Sequence, residues 1–254
     1  MRRFWMSVAM ILAGVLAAST AVVAQDDKAR AKAMLEKVDD LWRADASYAV
    51  MVMHVKTANY ERQMEMEAWS KGKRRSLVKI SKPRKEKGTA TLLLDGAIHT
   101  YLPKTDRTIR ISAGMMSGSW MGSHFTNDDL VKSSRLSEDY THAITFEGQR
   151  QGRTVIDITL TPLPEAAVMW DRVELTLDAA EGYPIEQRFF DEDGQVARTM
   201  TFSEVRNFNG RTIPSVMKVS PRDKPGEYTQ ITYKKLELGA KVPDRTFSMS
   251  NLKR

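Results

Sequence analysis

Cysteine is absent from the 254 residues. The chain therefore forms no disulfide and has no thiolate metal ligand, no cysteine nucleophile and no cysteine to carry a lipid anchor. Histidine is scarce. His54, His99, His124 and His142 stand in neither His-x-x-x-His nor Glu-x-x-His spacing, so there is no metal motif. No glycine-rich phosphate loop is present. The serines of "SGSWMGS" lack the strand, Gly-x-Ser-x-Gly turn and helix of a nucleophile elbow. Asp128 and Asp129 suit a helix start, and Asp191-Glu192-Asp193 suits a hairpin tip. With no nucleophile–base pair in view, the expectation is a protein that binds rather than catalyses, with no cofactor and no metal.

Apolar runs long enough to meet a membrane are missing after the first 24 residues. Met1-Arg2-Arg3 is a short basic start. The uncharged run from Phe4 to Ala24 ends in Val22-Val23-Ala24. Basic start, apolar centre and small final residue form the pattern of a secretory signal. It predicts a cut after Ala24 and an exported domain over residues 25–254, the alternative being an uncleaved anchor, since the run is about long enough to span a bilayer. No Pro/Ser-rich linker or internal repeat divides that domain, so one unit is expected.

Acidic residues are sparse in one region. From Lys71 to Lys87 there are nine Lys/Arg and one acid, Glu86. The bland reading is a solvated strand face with its loop. The functional reading is a docking surface for anionic lipid heads or an acidic partner, with Arg74, Arg75, Arg84 and Lys85 as contacts. The stretch has no aromatic residue to stack on bases, which argues against nucleic acid.

What the sequence does hold is β-structure. "SYAVMVMHVKT" and "ERQMEMEAWS" read as neighbouring strands, the second alternating Met64, Met66 and Ala68 with Glu65 and Glu67. If Thr57 pairs with Tyr60 across an Ala58-Asn59 turn, Met53 falls opposite Met64 and Met51 opposite Met66. Eleven further runs, from "RRSLVKISKP" to "EYTQITYKKLEL", have strand character. Lys71-Gly72, Asp95-Gly96, Asp193-Gly194 and Asn209-Gly210 mark hairpin turns between them. One antiparallel meander of this size twists and curls, leaving a concave face. "DDKARAKAMLEKVDDLWRAD" places Ala31, Met34, Leu35, Val38, Leu41 and Trp42 on one helical stripe, a cover for that face. A second helix is predicted from Asn127 to about Arg135, capped by Thr126 with Asp129.

Methionine is abundant, and twelve of the fifteen follow residue 24. It is flexible and recurs at adaptable apolar surfaces. Residues 112–125 combine Met115, Met116, Trp120 and Met121 with glycines 114, 118 and 122, which predicts a mobile apolar loop. Acyl chains need apolar area and no hydrogen bonds, each buried CH₂ contributing about 0.8 kcal/mol. The predicted ligand-binding set is Met51, Met53, Met64 and Met66 on the concave face, with Met115, Met116, Trp120 and Met121 as a lid.

"SKPRKEKGTATLLLDGAIHTYLPKTDRTIRI", "MMSGSWMGSHFTNDDLVK" and "DEDGQVARTMTFSEVRNFNGRTIPSVMKV" resemble the LolA-like superfamily, in its outer membrane lipoprotein-sorting group. The resemblance implies a mainly β fold, an unclosed barrel of about eleven antiparallel strands with helices covering the concavity. It implies a monomeric periplasmic carrier of an acylated lipoprotein or lipid, without cofactor, working beside an inner-membrane transport partner of the ABC permease or RND type. A lipid- or peptide-sensing regulator of a membrane partner is the alternative. The carriers' single buried arginine, which holds the lid closed, has three candidates here: Arg62, Arg74 and Arg75. His124 stands where the group is expected to have an acidic residue.

Overall fold

The computed structural model describes residues 26–132, 135–166 and 168–254. The apolar run to Ala24 and its cut lie outside them. Thirteen strands form one antiparallel sheet, two more than the resemblance implies and equal in number to the β-rich runs of the sequence. Its first half is β1 (Ala46–Lys56), β2 (Glu61–Lys71), β3 (Arg75–Lys82), β4 (Ala90–Leu94), β5 (Ala97–Leu102) and β6 (Arg107–Arg110). Its second half is β7 (Tyr140–Arg150), β8 (Arg153–Pro162), β9 (Arg172–Asp178), β10 (Pro184–Phe190), β11 (Val196–Phe208), β12 (Arg211–Pro221) and β13 (Tyr228–Leu238).

The order is not a simple run from first to last. β1 lies mid-sheet and pairs with both β2 and β13, while β6 and β7 are the two edges. The edges do not pair, so the sheet stays open. Register breaks at Val50/Met51, Glu65/Met66, Ile144/Phe146 and Phe189/Phe190 are bulges, which bend strands and raise local twist. The Asp95-Gly96 and Asn209-Gly210 turns carry two successive positive φ angles, 50° and 92° in one, 51° and 86° in the other. That is the backbone a tight two-residue hairpin requires. The Ala58-Asn59 turn closes through Thr57 N–H donating to the Tyr60 carbonyl at 2.9 Å. Met51 therefore faces Met66 and Met53 faces Met64.

Helix α1 covers residues 26–39. Its stripe, Ala31, Leu35 and Val38, is buried in the main core with Leu41, and Met34 and Trp42 pack against it. Arg30 bonds both oxygens of Glu147 on β7 at 2.7 Å, and Lys37 reaches the Glu181 carbonyl at 2.7 Å. Trp42 stacks on Phe202 of β11 and donates to the Pro214 carbonyl. A smaller second core joins Leu77, Leu92 and Tyr101 to Val242, Phe247 and Leu252, so the C-terminal segment and its short helix α4 (Met249–Leu252) cover part of β3–β5.

The link from β6 to β7 has to travel between opposite edges of the sheet. Among the described residues, 111–132 and 135–139 make that crossing. Helix α2 (Asp129–Lys132) starts at the predicted capping box: Thr126 N–H donates to Asp129 Oδ2 at 2.8 Å, and Asp129 N–H donates to Thr126 Oγ1 at 3.2 Å. The helix is shorter than predicted. Arg135 is not helical (φ −133°, ψ 22°), and helix α3 (Leu136–Asp139) follows as a separate turn. Among the described residues no helix is long and apolar enough to cross a membrane.

Candidate ligand cavity and lid

The predicted mobile loop is folded in this structure. A bridge joins Ser119 and Thr126, Trp120 N–H donates to the Phe125 carbonyl at 2.8 Å, and Asn127 N–H donates to the Gly118 carbonyl at 3.0 Å. The three glycines differ in what they permit. Gly122 has φ +63°, and a Cβ there would meet Arg62 Nη2 at 3.0 Å. At Gly118 a Cβ would meet the Met115 carbonyl at 3.0 Å, whereas at Gly114 it would meet nothing.

Beneath this crossing segment lies a cavity of about 230 Å³, walled by α1, the sheet and the segment itself. It exceeds the roughly 150 Å³ that accommodates a benzene in an engineered apolar core. Its lining is rich in aromatics and includes Trp42, Trp120 and Trp170, whereas Trp69 packs against the second core beside Tyr48. Phe125, Met51, Met200, Met217 and Tyr233 also contribute.

The eight predicted ligand residues divide on inspection. Met51 and Trp120 line the cavity. Met53, Met64 and Met66 have no exposed surface and sit in the core on the same face. Met121 packs partly against that core, Met116 is half-buried and Met115 points to solvent. Trp120 anchors the segment, its Nε1 donating to Thr91 Oγ1 at 3.1 Å.

Polar contacts fasten the segment along its length. Arg62 donates to the Met121 carbonyl, and Tyr60 Oη donates to the Gly122 carbonyl at 2.7 Å. Of the three candidate arginines, Arg62 is the one at the lid; Arg74 bonds the Asp95 carbonyl, and Arg75 faces Asp95 and Asp244. His124 N–H donates to Thr229 Oγ1 at 2.9 Å. Its Nε2 is 3.1 Å from Glu227 Oε2 and its Nδ1 2.9 Å from Thr229 Oγ1. An Nε2–H tautomer satisfies all three contacts, with the threonine hydroxyl donating to Nδ1. The Ala58 amide and His124 hold the Glu227 carboxyl below the usual range.

Two contacts escaped the sequence reading. Arg198, almost fully buried against the rings of Trp170 and Phe189, pairs with both oxygens of Asp129 at 2.6 and 2.8 Å. Its signal was available, since Arg198 alternates with Met200 and Phe202 along β11 and so shares their face. Asp39, at the end of α1, caps α3: Leu136 N–H, Ser137 N–H and Ser137 Oγ donate to it at 3.0, 3.2 and 2.6 Å. Burial pushes the Asp39 carboxyl up, and the Ser137 bonds pull it back.

Four of the nine cations in the basic stretch pair with carboxylates. Lys71 pairs with Asp244, Lys73 with Asp39 and Glu138, Arg75 with Asp95 and Asp244, and Lys82 with Glu65. Arg84 and Lys85 are exposed on the β3–β4 turn. Among the described residues no group of three or more histidines and carboxylates is arranged to hold a metal.

The fold has well-matched counterparts. A putative outer membrane lipoprotein-sorting protein domain from Vibrio parahaemolyticus is 25% identical, with a TM-score of 0.77 over 88% of this chain and 97% of its own. A LolA superfamily protein from Nitrosomonas europaea is 21% identical, with a TM-score of 0.73 over 87% and 98%. The chain has the LolA-like fold. A DUF1329 family protein from Desulfovibrio piger shares the LolA-like fold at 20% identity and a TM-score of 0.80, over 89% and 99%. Residues 72–254 of this LolA-like chain also match a family whose description reads "-like: Uncharacterized protein". No curated protein matches it.

Proposed function

We propose that the protein is a periplasmic carrier that binds the acyl chains of a lipoprotein or lipid and moves them from an inner-membrane transport system toward the outer membrane. The observation that carries this reading is the aromatic- and methionine-lined cavity closed over by the crossing segment. The likeness to a lipoprotein-sorting domain supports it, as does the secretory pattern at the start of the sequence. The cavity is too small in its closed form for a long chain, so loading requires the lid to lift and the flexible methionines to repack. Binding rather than catalysis fits the ionic groups of the wall, since Asp39 and Asp129 are engaged in holding the lid.

Because Trp42, Trp120 and Trp170 line the cavity and Trp69 packs in the second core, the fluorescence of a Trp69→Phe variant reports its filling directly. Titration with vesicle-extracted long-chain lipid is expected to shift emission to the blue. A short-chain analogue is expected to leave it unchanged, because ordering a lid costs roughly 1–2 kcal/mol per residue and needs many CH₂ groups to offset it. Native mass spectrometry of protein taken from its own periplasm should show a lipid adduct. A protein that is bare there and spectrally inert to long chains is not a carrier.

Docking is proposed at the exposed Arg84 and Lys85, where the carrier would meet anionic headgroups or an acidic face of its membrane partner. Reversing both charges to glutamate should weaken adsorption to anionic vesicles, and about 1 M salt, with a Debye length near 3 Å, should do the same to the unaltered protein. Adsorption indifferent to salt rules this contact out.

A further inference from the structure

Arg43 is the one cationic side chain among the described residues lining the cavity. It lies where α1 gives way to β1. Its Nη1 is buried without a hydrogen-bond partner, and among the described residues no carboxylate comes within ion-pair distance of it. An arginine normally enters a protein interior only when paired, because stripping water from an unpaired charge is expensive.

The carboxylates of the wall do not supply that partner. Asp39, one helical turn before Arg43, attracts it electrostatically but spends its hydrogen bonds on Leu136 and Ser137 and pairs with Lys73. Asp129 is taken by Arg198. Asp128 also lines the cavity and is engaged elsewhere. Next to Arg43 on the same wall stands Tyr233, a second possible donor. Burial pushes the Tyr233 hydroxyl up to about 12 against the opposing pull of Arg43, so the phenol stays protonated and able to donate, and burial pushes Arg43 down. The rest of the wall is mainly aromatic and aliphatic.

Resting on the carrier reading, we propose that the cargo has an anionic head, a carboxylate or a phosphate, which enters the cavity and pairs with Arg43, with the Tyr233 hydroxyl as second donor. The apolar wall takes the adjoining part of the chain. The guanidinium presents a planar set of N–H donors that matches either oxyanion in bidentate fashion. A bound head also supplies the hydrogen-bonded partner that the Arg43 Nη1 lacks. The cargo is thereby specified as an anionic amphiphile, a narrower class than any molecule with acyl chains.

The test compares amphiphiles sharing one eighteen-carbon chain: oleate, oleoyl lysophosphatidate, and the neutral oleyl alcohol and monoolein. Kd is measured by tryptophan fluorescence and confirmed by native mass spectrometry, for the wild type, Arg43→Met and Arg43→Lys. The wild type is expected to favour the anionic ligands by about ten- to a hundredfold, the scale of one charge-assisted hydrogen-bonded contact. Whichever of oleate and lysophosphatidate binds tighter identifies the head as carboxylate or phosphate. Arg43→Met is expected to bind all four alike, and Arg43→Lys to keep part of the preference. Arg43→Met is also expected to melt at a higher temperature without ligand, because it removes a desolvated charge. A lower melting temperature would mean that Arg43 serves stability and would overturn the proposal. Equal binding of neutral and anionic ligands by the wild type overturns it too but leaves the carrier standing. Binding of none of the four overturns the carrier reading itself.

Discussion

Met53→Asp is expected to yield no folded protein. Met53 has no exposed surface and faces Met64, equally buried, across the β1–β2 ladder. Removing a buried methionine side chain costs about 2–5 kcal/mol, and leaving an ionised carboxylate there costs several more. Domains of this kind hold about 5–15 kcal/mol in total. The expected readouts are loss of the β-sheet circular dichroism signal and recovery in the insoluble fraction. Met115→Asp is the counter-example. Met115 is 42% exposed, so that change should alter stability by no more than about 0.5 kcal/mol. Met51 lies between these cases. It lines the cavity, so the volume-conserving Met51→Leu should keep the fold at a cost below about 1.5 kcal/mol and change ligand affinity instead. A soluble, cooperatively melting Met53→Asp would show that this face of the sheet is not a packed core.

Arg198→Met is expected to release the lid while sparing the sheet. The change strands Asp129, whose carboxylate sits in a mostly buried position with Arg198 as its ionic partner. Breaking a buried pair from one side costs about 3–5 kcal/mol. Asp129 also closes the capping box of α2, and Arg198 reaches the His124 carbonyl at 3.5 Å, so the penalty falls on the crossing segment. Local opening needs less free energy than global unfolding. Amide exchange across residues 120–132 should therefore speed up by about a hundredfold or more, while β1, β2 and β13 stay protected. Adding Asp129→Leu should restore part of the protection, because the orphaned charge is then gone. Unchanged exchange in that segment would mean that Tyr60, Arg62 and Glu227 hold the lid without the buried pair.

How each lid residue behaves follows from where the crossing segment rests. Trp120 reaches Thr91 on β4, the Met121 and Gly122 carbonyls reach Arg62 and Tyr60 at the β1–β2 turn, and His124 reaches Thr229 on β13. Among the described residues, the side chains of Met115, Met116 and Met121 carry no hydrogen bond that specifies their direction. Side-chain type alone therefore did not separate the buried from the exposed: Trp120 is inside and Met115 outside, five residues apart in a segment whose turns are short 3₁₀ segments.

Local chemistry was enough for much of the fold. Alternation of apolar and polar residues determined the strands, paired positive-φ turns determined hairpins such as Asn209-Gly210, and the short Ala58-Asn59 link determined the Met51–Met66 and Met53–Met64 register. The α1 stripe and the Thr126–Asp129 cap are likewise contacts between near neighbours, within reach of a periodic reading. The tertiary structure alone decided that β13 returns to pair with β1 and that the link from β6 to β7 must cross between the sheet edges. A backbone ladder is chemically the same between any two strands, so no side-chain pattern announces which distant edges meet. The ionic contacts of the site have the same character: Asp39 and Ser137 lie 98 positions apart, Asp129 and Arg198 69. Periodicity says which way a charged side chain faces along its own element. Whether a partner waits there, as for Arg198, or only an apolar cavity, as for Arg43, depends on how the sheet curls.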